Sequence, residues 1–217
     1  MEVFMDREEM MGYIDHTRLK ATTTWEEIRG LCDEAVAHHT ASVCIPPSYV
    51  MRVRNAYEKL NICTVIGFPL GYATKEAKVA ETKQALMEGA NEIDMVINLG
   101  DVKNGDFYKV KDEIAELKKA VGSDRILKVI IETCYLTENE KIELCRCVTE
   151  GGADFIKTST GFGSGGAKPE DIELFKKHIG PNVRIKASGG IKNRAEMEAF
   201  IALGCQRIGT SSAMVSE

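Results

Sequence analysis

No stretch of the 217-residue chain approaches the ~18–20 consecutive apolar residues of a membrane-spanning helix. Basic residues are not in excess: 28 Lys and Arg face 33 Asp and Glu, a net charge of −5, which argues against a general binder of nucleic acid or other polyanions. Histidine is scarce, and the four present (His16, His38, His39, His178) do not cluster with cysteine. Cys-x-x-Cys is absent, and the seven cysteines are scattered and odd in number. Neither a secreted disulfide framework nor a zinc site is therefore expected, and most of the thiols are expected to be small core residues. No metal or other cofactor is expected. The acidic, amphipathic residues 2–9 lack the form of a secretory signal. No Pro-, Gly- or Ser-rich linker divides the chain, so residues 1–217 are expected to form a single domain, soluble and cytoplasmic.

What the sequence does have is a regular alternation. Short β-branched runs at 13–16, 42–45, 62–67, 92–98, 126–132, 154–159, 183–188 and 207–210 predict eight strands. Polar, periodic segments at 25–39, 48–60, 75–88, 107–121, 138–149, 169–178 and 194–203 predict helices between them. Thr24, the capping box Thr137-x-x-Glu140 and Pro169 mark helix starts, while Gly89-Ala90, Gly151-Gly152-Ala153 and Gly204-Cys205 mark stops. Strand–helix units recurring about every 28 residues define an α/β fold. Eight of them favour a closed (β/α)₈ TIM barrel over an open doubly wound sheet. Residues before Tyr13 are expected to form an extra N-terminal helix plugging the barrel's bottom. The final helix is expected to be short or missing.

Several strands carry charge where a strand buried on both faces should be wholly apolar. Glu92 and Asp94 alternate with Ile93 and Met95; Lys128 and Glu132 with Leu127, Val129 and Ile131; Lys157 with Ile156; Arg184 and Lys186 with Ile185 and Ala187. Period-two geometry puts each charged set on one face, and the apolar set must meet the helices, so the charges point into the barrel. Unpaired buried charges are costly, so such residues persist only when paired or used. One reading is an ion network in which Asp94, Glu92 and Glu132 neutralise the lysines. The other concerns Lys157 and Lys186, at matching depth on adjacent strands. Two ammonium groups about 5 Å apart repel by roughly 3 kcal/mol, which favours a free amine on one of them. Only a neutral amine attacks a carbonyl, so the pair points to Schiff-base chemistry.

Two glycine-rich loops add a second clue. Ser188-Gly189-Gly190 follows the seventh strand and Gly209-Thr210-Ser211-Ser212 the eighth. These can be tight turns, but in barrels these two loops often present N–H groups to a phosphate. The substrate is then a phosphorylated carbonyl compound. The segment 161–166 matches G-x-G-x-x-G, yet it lies in the sixth unit with no acid closing the next strand, so it is not read as a dinucleotide fingerprint but as a mobile loop beside Lys157.

On these residues the sequence resembles the 2-deoxyribose-5-phosphate aldolases. The resemblance covers nearly the whole chain and rests most on Lys157-Thr158-Ser159-Thr160-Gly161 and Lys186-Ala187-Ser188-Gly189-Gly190, with support from Tyr13-Ile14-Asp15-His16-Thr17, Ser42-Val43-Cys44 and Glu92-Ile93-Asp94. It implies a metal-free class I aldolase that reversibly cleaves 2-deoxyribose 5-phosphate to acetaldehyde and glyceraldehyde 3-phosphate in deoxyribonucleoside breakdown. It further implies a Schiff base on Lys157, with Lys186 as its cationic neighbour and Asp94 as the proton-relay carboxylate. Asp15 is implied near the substrate hydroxyls, and Gly189, Gly190, Gly209, Ser211 and Ser212 at the phosphate. Thr160 and Cys44 are expected beside the substrate, Cys44 as an aldehyde target or a packed thiol. Some family members carry a lysine where Phe162 stands, and a C-terminal tail that reaches the active site in others is not expected here. A homodimer or homotetramer is implied.

Overall fold

The computed structural model describes residues 5–212. Eight parallel strands, β1 (Ile14–Thr17), β2 (Ser42–Ile45), β3 (Ile62–Ile66), β4 (Glu92–Val96), β5 (Ile126–Ile130), β6 (Phe155–Lys157), β7 (Arg184–Ser188) and β8 (Arg207–Thr210), pair in chain order. β8 pairs back onto β1, with Asp15 abreast of Gly209, so the barrel is closed. Around it run α1 (Arg7–Met11), α2 (Trp25–His38), α3 (Val50–Ala56), α4 (Lys75–Met87), α5 (Leu99–Lys103), α6 (Phe107–Val121), α7 (Glu138–Glu150), α8 (Pro169–His178) and α9 (Arg194–Ala202). This is the expected TIM barrel.

The strands' two faces behave as their period-two pattern requires. Ile14, Val43, Ile93, Leu127, Val129, Ile156, Ile185 and Ile208 point outward into one core shared with the helices, which lay stripes such as Val110, Ile114 and Leu117 of α6 over them. Each such side chain contributes about 1.5–3 kcal/mol on burial. Inside the barrel lie a small apolar cluster, Cys44, Cys63 and Val65, with Leu19 and Phe68 packed on it, and the buried inward-parity residues Val96, Ile130 and Phe155. Charged side chains share this interior with them.

Local details depart from the sequence reading. The segment 48–60 is not one helix: Pro47–Tyr49 forms a 3₁₀ turn before α3, and Tyr57 leaves helical geometry. The five-residue α5 lacks a periodic signal and is started by Asn98, whose side chain accepts from the Gly100 N–H. Expected strand ends at 98, 132 and 159 are trimmed because the chain turns at the barrel rim; Glu132 sits in a left-handed conformation at φ 55°. The extra N-terminal helix exists as α1, but Met10 and Met11 pack in the strand–helix layer instead of plugging the interior. The expected loss of the final helix falls on residues 213–217, outside those described.

One buried ion pair ties the wall together. Lys78 of α4 is fully buried, donates to the Val96 carbonyl at the end of β4 at 2.8 Å, and meets Glu113 of α6 at 2.8 Å. Burial lowers the Lys78 pKa and raises that of Glu113, so the low-dielectric wall outweighs their mutual attraction.

Candidate active site

Strand register brings the inward charges to one level. Lys157 lies abreast of Lys186, Asp94 abreast of Lys128, and Lys186 abreast of Arg207. Asp94 is the hub. Its Oδ2 accepts from Lys157 Nζ and from Lys186 Nζ, both at 2.7 Å, and its Oδ1 accepts from Lys128 Nζ at 2.8 Å and the Cys63 thiol at 3.1 Å. Lys186 also donates to Asp15. Asp15 in turn accepts from the Ser42 hydroxyl at 2.7 Å and from Arg207 at 2.5 Å. Below them Glu92 meets Lys128 at 2.5 Å and Arg207 at 3.0 Å. The Arg184 guanidinium closes the lower end, 4.1 Å over the Phe155 ring.

The electrostatics follow from this packing. Burial alone would raise the carboxyls of Asp15 and Asp94, but Lys186, Lys128 and Arg207 around the first, and Lys128, Lys157 and Lys186 around the second, hold both well below the usual range. Burial alone would discharge Lys186 and Lys128; Asp15 and Asp94 around the one, Asp94 foremost around the other, push both above the usual lysine value instead. The two carboxylates thus favour the ammonium form of Lys186. Repulsion between the two lysines, inferred from their spacing, is therefore not what sets the site, because Asp94 stands between them. Nor does Glu132 neutralise a lysine: its carboxylate accepts from the Thr160 N–H at 3.1 Å and from the Thr160 hydroxyl.

Above this network, at the C-terminal ends of the strands, a cavity of about 590 Å³ opens. Lys157, with 3% of its surface exposed, is the network lysine that lines it. Thr160, Gly161, Phe162, Gly189, Gly190, Gly209, Ser211 and Ser212 line it too, with Arg18, Lys20 and Lys192 adding cationic side chains. Gly189 and Gly190 adopt φ of 85° and 79°, a left-handed turn that glycine accepts without strain. Asp15, Asp94 and Lys186 lie fully buried beneath the cavity, joined to it through Lys157. Cys44 is fully buried against Cys63 and is not among the lining residues. The neighbouring Cys63 thiol lowers the Cys44 pKa, and burial raises that of Cys63. Phe162 packs edge-on against Phe68 at 5.3 Å. The segment 161–166 closes back on the neighbouring turn, with the Ala167 N–H donating to the Ser188 and Gly189 carbonyls. A larger groove of about 820 Å³ outside the barrel, along α4 and α6, lacks this convergence of amine, carboxylate and glycine turns.

Donor atoms of Cys44, Cys63 and Asp94, and of Asp15, Cys63 and Glu92, fall within 4.8 Å of one another, the spacing of a metal cage. Every carboxylate in these sets already binds ammonium or guanidinium groups. The protein's own cations take the places a metal would occupy, so the residues do not fit one.

Arg207 escaped the sequence reading. It stands on the inward parity of β8, beside Ile208, but its acidic partner Asp15 lies on the first strand, invisible to any local pattern. Cys63 escaped because a lone thiol carries no chemical signal.

A closed parallel barrel with a nearly buried lysine at the floor of a glycine-rimmed cavity is the architecture of a lysine-dependent carbonyl enzyme. The DeoC/LacD family aldolase model matches residues 3–203, and the chain belongs to that family. The deoxyribose-phosphate aldolase of Clostridium botulinum (strain Alaska E43 / Type E3) is 60% identical over 211 residues, 97% of this chain and 95% of that one. That of Clostridioides difficile (strain 630) is 60% identical over 200 residues, 92% of this chain and 91% of that one. Among solved structures, the tetrameric deoxyribose phosphate aldolase of Aeropyrum pernix superposes with a TM-score of 0.87 at 31% identity, over 96% of this chain and 89% of that one.

Proposed function

We propose that this protein is a class I aldolase that reversibly cleaves 2-deoxyribose 5-phosphate to acetaldehyde and glyceraldehyde 3-phosphate, in the breakdown of deoxyribonucleosides. The observation that carries the reading is Lys157: it alone of the three lysines on Asp94 lines the cavity, while Lys186 behind it is fully buried between Asp15 and Asp94. The 60% identity to enzymes named for this substrate supports it.

The Lys157 amine adds to C1 of the open-chain sugar, and loss of water from the carbinolamine leaves an iminium. Acetaldehyde keeps C1 and C2, so the bond that breaks is C2–C3. Its electron pair moves into the iminium to form an enamine as the C3 hydroxyl loses its proton and becomes the aldehyde of glyceraldehyde 3-phosphate. Protonation at C2 and hydrolysis release acetaldehyde and restore the amine. Asp94 and Lys186, hydrogen-bonded to each other and reaching Lys157 through Asp94, move protons in these steps. Asp15 holds Lys186 in place from the other side. The Gly189–Gly190 turn and Gly209, Ser211 and Ser212 receive the phosphate. The enzyme works in the cytoplasm as a homodimer or homotetramer, a reading supported by the tetrameric relative.

Borohydride reduction in the presence of acetaldehyde, followed by peptide mass spectrometry, tests this. An ethyl adduct on Lys157, absent from a turnover-dead Lys157→Ala variant, is expected. An adduct on Lys186 would reverse the two roles, and folded protein without any adduct would make this a barrel that only binds its ligand.

A further inference from the structure

Glu132 is used by neither the lysine network nor the chemistry above, yet it is 3% exposed and sits at the one bend that ends β5, with φ 55° and ψ 65°. That left-handed backbone favours glycine, and a carboxylate held there needs a reason. Its two oxygens take both donors of Thr160, the N–H at 3.1 Å and the hydroxyl. The Thr160 oxygen then accepts from the Phe162 N–H at 3.0 Å. Thr160 therefore has no donor left for a ligand, and its place at the cavity wall is structural.

The clamp continues along the loop. Gly163 passes so close that a Cβ there would lie 3.2 Å from the Glu132 carboxyl carbon and 2.9 Å from the Cys134 sulfur. A Cβ on Gly166 would lie 2.1 Å from the Gly189 carbonyl oxygen. The Ala167 N–H donates to the Ser188 and Gly189 carbonyls at 3.1 Å each. A continuous line of contacts thus runs from Glu132 to the glycine turn that rims the cavity.

We propose that Glu132 is a positioning residue for phosphate recognition: by pinning the 160–167 loop it sets the Gly189–Gly190 turn, and through it the preference for a phosphorylated over an unphosphorylated sugar. The proposal rests on the aldolase reading above. Its carboxylate acts through Thr160 and touches no substrate; a bare anion facing the phosphate would repel it.

The test compares 2-deoxyribose 5-phosphate with 2-deoxyribose in wild type, Glu132→Ala and Glu132→Gln. The alanine variant is expected to raise KM for the phosphorylated sugar about ten- to a hundredfold, the usual consequence of losing hydrogen bonds to a buried charge. Its kcat/KM on 2-deoxyribose should be nearly unchanged, because Lys157 and Asp94 are undisturbed. Glutamine, which keeps an acceptor and the volume, should fall between, and it carries the test if the alanine variant does not fold. A general structural lesion would instead lower both substrates alike. Equal losses on the two sugars, or no loss on either, would overturn the proposal. Borohydride trapping on the wild type separates the two readings: an adduct on Lys157 with an unchanged substrate ratio sinks the role of Glu132 alone, whereas no adduct removes both.

Discussion

Lys157 and Lys186 donate to the same oxygen, Asp94 Oδ2, each at 2.7 Å. The nitrogens can be no farther apart than twice that distance, yet the shared carboxylate turns a like-charge contact into a bridge. The arrangement assigns unequal parts to the two lysines. Lys186 has a second carboxylate, Asp15, and is fully buried; Lys157 has Asp94 and the cavity.

Removing the bridge should expose the repulsion it masks. In Asp94→Asn the side chain keeps its shape, but Lys128, Lys157 and Lys186 lose their common anion. Breaking a buried pair from one side costs about 3–5 kcal/mol, and with Asp15 and Glu92 still present we expect the lower part of that range. Chemical denaturation measures it, and a loss below about 1 kcal/mol would show that the hub carries no such load. Turnover should drop by about 10²–10⁴, as expected on losing a positioned proton carrier.

The barrel and the lysine pair were legible because both depend on period-two alternation within single strands. Lys157 and Lys186 are in register across β6 and β7, as their depths in the sequence imply. The electrostatic partners were less legible. Asp15 is 171 residues from Lys186 and 192 from Arg207, and only closure of β8 onto β1 makes them neighbours. Glu132 misled for a different reason. Alternation holds only while the backbone stays extended, and its left-handed turn sends the carboxylate to Thr160.

The same network predicts how stability varies with pH. Asp15 and Asp94 have native pKa values below the unfolded ~3.9, so the stability they contribute is present above that value and is lost as pH falls through the native ones. Lys128 and Lys186 have native values above the unfolded ~10.4, so their contribution is complete below it and is lost as pH rises through the native ones. The contribution of these four groups to the urea midpoint should therefore be level from about pH 5 to 9 and fall on both sides. A midpoint that climbs below pH ~4 would contradict the depressed carboxyls.

Gly209 offers a test of how tightly the site is held. It lies on β8 between Asp15 and Ser188, on the inward face. A Cβ there would stand 3.1 Å from the Lys186 Cε and 3.0 Å from the Ser188 Cβ. Its φ lies outside the left-handed region, so the backbone tolerates alanine and the cost falls on those neighbours. Ser188 is fixed through its hydroxyl to the Ser159 carbonyl at 2.6 Å, which leaves the lysine to move. Displacing Lys186 shifts Asp94 and, through it, the Lys157 amine. A misplacement of this kind costs on the order of a hundredfold in rate, so Gly209→Ala should lose about that much kcat while still folding. Gly30 in α2 is the contrast. Nothing lies within 4 Å of a Cβ at that position, and Gly30→Ala should raise stability by about 0.5–1 kcal/mol with kcat unchanged. Kinetics and thermal melts on both variants check the pair. Full activity in Gly209→Ala would mean that Lys186 can shift without moving the amine, and that the shared oxygen of Asp94 does not transmit its position.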